Sequence, residues 1–172
     1  MTNLAFPFAV HGTADISPCG RYRYRLTRTL TGPGLPLVFV MLNPSTADSS
    51  VDDPTIRRCI GFAERMGRSG IHVVNLFSFR TPYPEELRDA HRNGVQIVGP
   101  RGDKVLDALP GTVICAWGPP KWPFVRERAR VVAERITARG IPLYCLGTAK
   151  DGSPRHPLML RGDAPLTEWS MP

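Results

Sequence analysis

The sequence predicts an α/β protein, a three-layer sandwich with a central, mainly parallel sheet of four to five strands. Two observations carry this. Short apolar runs with no polar face recur at residues 35–42, 71–77, 112–117 and 141–146. Between them lie helical stretches marked by capping residues and apolar stripes. Strands that are apolar on both sides belong to parallel sheets covered by helices on both faces.

Each element can be argued in order. Residues 21–29 alternate Tyr22, Tyr24 and Leu26 with Arg21, Arg23 and Arg25, the period of a strand with one wet face. Thr31-Gly32-Pro33-Gly34 ends it in a turn. Residues 35–42 form a buried strand, stopped at Asn43-Pro44 because proline removes a ladder donor. A Ser- and Asp-rich loop leads to Asp53-Pro54, an N-cap with proline at the first helical position. Ile56, Cys59, Ile60 and Ala63 then share one helical face, and Gly67 is the stop. After the strand at 71–77, helical stretches open at Pro84-Glu85-Glu86 and at Gly99-Pro100, the latter ending at Pro110-Gly111. The strand at 112–117 is cut off by Gly118-Pro119-Pro120. Residues 122–139 are amphipathic, with Val125, Ala129, Val132 and Ile136 on the apolar face and Gly140 as the cap. The last buried strand, 141–146, precedes a loop-rich tail containing Arg155-His156-Pro157-Leu158. The 172 residues are expected to form one domain, with residues 1–20 as a loose N-terminal segment.

Composition narrows the function classes. The net charge of +7 and a pI near 9.7 favour anionic partners, either nucleic acid, DNA before RNA, or a nucleotide. An arginine-rich composition alone produces the same balance. The four cysteines form no CxxC pair and match no zinc spacing. Cys115 and Cys145 sit in apolar runs and read as core residues. Reduced thiols, no secretory signal and no apolar run long enough to span a bilayer suggest a cytoplasmic protein without membrane association. A monomer is the expected state.

Ligands of parallel sheets bind at the carboxyl ends of the strands. Four such ends carry polar or ring-bearing residues: Asn43-Pro44-Ser45-Thr46, Asn75-Leu76-Phe77-Ser78, Trp117-Gly118-Pro119 and Gly147-Thr148. An asparagine inside Val-Val-Asn-Leu-Phe is costly unless satisfied, by a ligand or by a neighbouring loop. No GxxxxGK[ST], GxGxxG or serine nucleophile elbow occurs, and no cofactor is expected. Asp48, Asp52 and Asp53 suit either a divalent cation or a capped helix start. No second acidic cluster completes a hard-cation shell, so no metal is expected. His156 suits a proton donor or a surface loop.

These residues also carry a resemblance. Met41-Leu42-Asn43-Pro44-Ser45-Thr46-Ala47-Asp48, Asp53-Pro54-Thr55-Ile56-Arg57-Arg58-Cys59, Val74-Asn75-Leu76-Phe77, Ala116-Trp117-Gly118 and His156-Pro157-Leu158 resemble the bacterial domain-of-unknown-function family 1643. The same order of features is similar, more weakly, to the uracil-DNA glycosylase superfamily. It matches an Asn-Pro first motif, a strand-end base-reading Asn, a Trp-Gly strand end and a terminal His-Pro. The chain lacks the glutamine- or glycine-rich lead-in to the first motif, and Leu158 stands where serine usually follows His-Pro.

The resemblance implies a uracil-DNA-glycosylase-like fold and an N-glycosidase acting on a damaged or modified nucleobase. The alternative is a non-catalytic nucleic-acid or nucleotide binder of the same fold. In the first reading Asn43 orients the attacking water, within a wall that includes Pro44, Ser45 and Thr46. Asp48 is the nearest candidate base, since an amide cannot act as one. Asn75 reads the base edge, and Phe62, Phe77 or Trp117, followed by Gly118, stacks on it. His156 donates to the leaving base. Lys150, Arg155 and Arg161 hold phosphates, and Pro157, Leu158 and Met159 belong to the loop that fills the gap left by a flipped base.

Overall fold

The computed structural model describes residues 11–172. Seven strands form one sheet: β1 (Gly12–Ile16), β2 (Arg23–Thr29), β3 (Leu37–Met41), β4 (Gly70–Asn75), β5 (Thr112–Cys115), β6 (Leu143–Cys145) and β7 (Thr167–Glu168). The helices are α1 (Pro54–Arg65), α2 (Pro84–Arg92) and α3 (Pro123–Thr137). The strand order is β1-β2-β4-β3-β5-β6-β7.

The α/β class stands, and the sheet differs from the expected one. Its centre, β4-β3-β5-β6, is parallel, but β1, β2 and β7 add antiparallel edges, so the sheet is mixed and seven-stranded. Two edge strands were illegible for local reasons. β1 is only partly buried and carries no apolar stripe, and β7 is two exposed residues whose pairing with β6 comes from the tail folding back. Residues 12–16 of the expected loose segment are therefore strand. The part of that expectation falling on residues 1–10 lies outside the described residues.

β3 is central and buried along its whole length, and its side chains alternate between two cores. Val38 and Val40 face Leu87 of α2 and Val125, Ala129, Val132 and Ile136 of α3. Leu37, Phe39 and Met41 face Ile56, Cys59, Phe62 and Ala63 of α1. Each fully buried aliphatic or aromatic side chain contributes about 1.5–3 kcal/mol. Asp53 caps α1 by accepting the Ile56 N–H at 2.9 Å, with Pro54 at the first helical position. The helical stretch expected over 99–111 is a 3-10 turn at Lys104–Asp107. Gly99 has φ +77, and a Cβ on Gly102 would collide with the Val98 carbonyl, so the chain is too tightly folded there for a longer helix. Among the described residues, no helix is long and apolar enough to cross a membrane.

The chain leaves β3 through α1 toward β4, and later returns to pair β5 on the other side of β3. The connections after β3 and β5 thus diverge to opposite faces, which opens a crevice at their carboxyl ends.

Candidate functional site

A cleft of about 530 Å³ opens at that switch point. Its volume lies within the range of about 300–1,000 Å³ usual for small-molecule sites. The ends of β3, β4 and β5, the start of α1 and the His156 loop all contribute to it.

Asn43 is fixed by its amide. Nδ2 donates to the carbonyls of Thr81 at 2.9 Å and Pro44 at 3.1 Å, tying the end of β3 to the segment after β4. Among the described residues nothing donates to its Oδ1, which stays available as an acceptor. Asn75, the last residue of β4, is 4% exposed and lines the cleft, and its Oδ1 has no hydrogen-bond partner. A buried amide oxygen left unpaired costs about 1–3 kcal/mol, so this strand end carries an unrelieved polar group.

His156 reaches the cleft from the tail. Arg155 N–H donates to the Gly147 carbonyl at 2.9 Å, which returns this segment to the end of β6. Gly118 supports it from the end of β5. Its φ of +79 favours glycine, and a Cβ there would lie 3.7 Å from the His156 Cβ. His156 Nδ1 accepts the Leu158 N–H at 3.3 Å, which places the ring proton of the neutral imidazole on Nε2. Burial lowers its pKa below the usual imidazole value, opposed by the charge of Asp53. The ring is neutral at pH 7, with an N–H to donate.

Arg23 and Asp53 bring charge to the cleft lining. Arg23, read as part of a wet face, is 3% exposed. β1 makes β2 an interior strand, and the loop after β3 covers it, so Arg23 donates to the Ala47 carbonyl at 2.8 Å. Burial lowers its pKa to about 10, with Asp53 opposing and Arg80 and Arg28 adding, so the guanidinium stays charged at neutral pH. Asp53 does cap α1 as expected, and it lines the cleft as well. An Asp-Pro helix start directly after a parallel strand's loop is a legible signal for such a placement. Thr81 and Trp122 also line the cleft and were not singled out.

Among the residues singled out from sequence, the structure brings Asn43, Ser45, Thr46, Asn75, Trp117, His156 and Leu158 together around this cleft. Trp117 is braced edge-to-face by Trp169, with ring centroids 5.4 Å apart. Leu158 and Met159 are exposed at the rim. Others lie elsewhere. The Asp48 carboxylate turns back on its own loop, accepting from Ser50 N at 2.9 Å and Val51 N at 2.8 Å, and these bonds lower its pKa. Asp52 pairs with Arg28 at 2.7 Å. Phe62, on the buried face of α1, and Phe77, beyond the end of β4 and against Phe124, each sit in a core layer. Pro44 and Pro157 are buried supports of the two loops. Lys150 and Arg155 are exposed on the tail, where Arg155 Nε donates to the Thr148 carbonyl, and Arg161 pairs with Asp163.

Comparison with curated proteins and with solved structures finds no match. A family model described as a protein of unknown function (DUF1643) matches residues 23–158, from the first residue of β2 through the loop that bears His156, and the chain belongs to that family.

Proposed function

We propose that the cleft takes a single nucleobase of a nucleic-acid strand, DNA before RNA, and that the protein hydrolyses the N-glycosidic bond of a damaged or modified nucleotide. The observation that carries this reading is the convergence of Asn43, Asn75 and His156, from three distant parts of the chain, on one cleft. Their free groups are complementary to such a reaction. Asn43 Oδ1 accepts from a water and orients it. The Asn75 amide pairs with an adjacent donor and acceptor on a base edge. His156 Nε2–H donates to a base carbonyl that gains negative charge as the bond breaks. Trp117 and Trp122 offer apolar walls for the ring. Exposed Leu158 and Met159 suit the space that an extruded base vacates.

Oligonucleotides carrying a panel of deaminated, oxidised and alkylated bases, single- and double-stranded, test the reading. An alkali-labile abasic product is expected for at least one. No product across the panel from folded protein refutes catalysis. Salt-dependent binding without product would then favour the non-catalytic alternative, to which the weak basicity of the Asn43 amide lends support.

A further inference from the structure

We propose that Asp53 is the catalytic base of this cleft, a role that rests on the glycosidase reading above. Among the described residues lining the cleft, Asp53 supplies the carboxylate. The other candidates are chemically committed. His156 Nδ1 is occupied by the Leu158 N–H, so its ring is set to donate from Nε2 rather than to accept a proton. Asn43 and Asn75 are amides. Asp48 has its carboxylate engaged by the backbone of its own loop.

The position of Asp53 follows from helix capping. One carboxylate oxygen accepts the Ile56 N–H at 2.9 Å, which anchors the group at the mouth of α1. Among the described residues the second oxygen makes no hydrogen bond, and it belongs to a residue that lines the cleft. A capping carboxylate is held without a mobile side chain, which suits a group that must stand still against a reacting water. Its charge acts on both Arg23 and His156, so it lies within electrostatic reach of both walls.

The step balances as follows. The oxygen of a water held by Asn43 forms a bond to the anomeric carbon as the bond from that carbon to the base nitrogen breaks. The bonding pair leaves with the base, whose carbonyl oxygen receives the His156 Nε2–H hydrogen bond. A water proton passes to Asp53, and from there to solvent or the departed base. One water is consumed, giving a free base and an abasic sugar. Before the proton moves, the carboxylate also stabilises the cationic sugar of the transition state.

Asp53→Asn separates this chemistry from folding, because asparagine caps a helix as well as aspartate does. Asp53→Ser, which also caps, is the second variant. Cleavage is measured on the base that wild type excises, and binding on the same oligonucleotide with a 2′-fluoro group at the target sugar, which resists cleavage. The expected result is a loss on the order of 100-fold or more in single-turnover rate for both variants. Binding and thermal midpoint are expected to stay unchanged. A loss below about tenfold in Asp53→Asn overturns the assignment while leaving the glycosidase reading intact. Absence of cleavage by wild type on every base overturns both.

Discussion

Replacing Asn75 with leucine is expected to stabilise the fold while removing ligand binding. The Asn75 side chain is 4% exposed and its Oδ1 is unpartnered. Its register partner on β3 is Met41, and Val73 lies on the same side of β4. An unsatisfied buried oxygen costs about 1–3 kcal/mol, which leucine removes at similar volume. Part of the new apolar surface faces the cleft, so a net gain of about 1 kcal/mol is expected. For a chain of this size that raises the thermal midpoint by about 2–4 °C. Urea and thermal unfolding followed by far-UV circular dichroism measure it, with Asn75→Asp as the polar control. A loss of about 1 kcal/mol or more in Asn75→Leu would refute the reasoning, because the amide would then be a satisfied structural strut.

Three further outcomes follow from the same geometry. Arg28, 3% exposed, holds the cleft loop through Asp52 and the Asp48 carbonyl, so Arg28→Ala is expected to destabilise by about 2–4 kcal/mol in urea unfolding, less than a fully buried pair because Asp52 is partly exposed. Burial depresses the pKa of His156 and of His72, so the folded state binds fewer protons than the unfolded one in the window below about pH 6.5. This stability is complete above that pH and lost as pH falls through the folded pKa values. His156→Gln should flatten the dependence of the thermal midpoint between about pH 5 and 6.5, and an unchanged slope would count against it. Cys19 is exposed, and its hydrogen bond with Ser17 lowers its pKa, whereas Cys59, Cys115 and Cys145 are buried. One thiol is therefore expected to react rapidly with a disulfide reagent, and Cys19→Ser should remove that phase.

Local pattern made much of the frame legible. The apolar runs of β3, β4 and β5 announced a helix-covered parallel centre, Asp53-Pro54 marked where α1 begins, and the stripe Val125, Ala129, Val132 and Ile136 marked α3. Once strands are parallel, their carboxyl ends share an edge, which is why Asn43, Asn75 and Trp117 could be named together. The periods of 2 and 3.6 residues report whether a side chain faces inward, but not what stands opposite it. Phe62 and Phe77 were expected to stack on a ligand, and only the layer packing shows them in the two cores rather than in the cleft.

What the sequence by itself determined, then, is the strands β2 to β6, the three helices and the edge where the polar strand ends gather, because these depend on neighbours a few residues apart. The tertiary structure alone decided which charges enter the cleft. Arg23 became buried when β1 paired outside it and the loop after β3 folded over it. Asp53 came to face the cleft while Asp48 closed its own turn five residues earlier. His156 arrived from the tail against Gly118. The placements of Arg23 and His156 depend on contacts between segments far apart in the chain, and no local periodicity records such contacts.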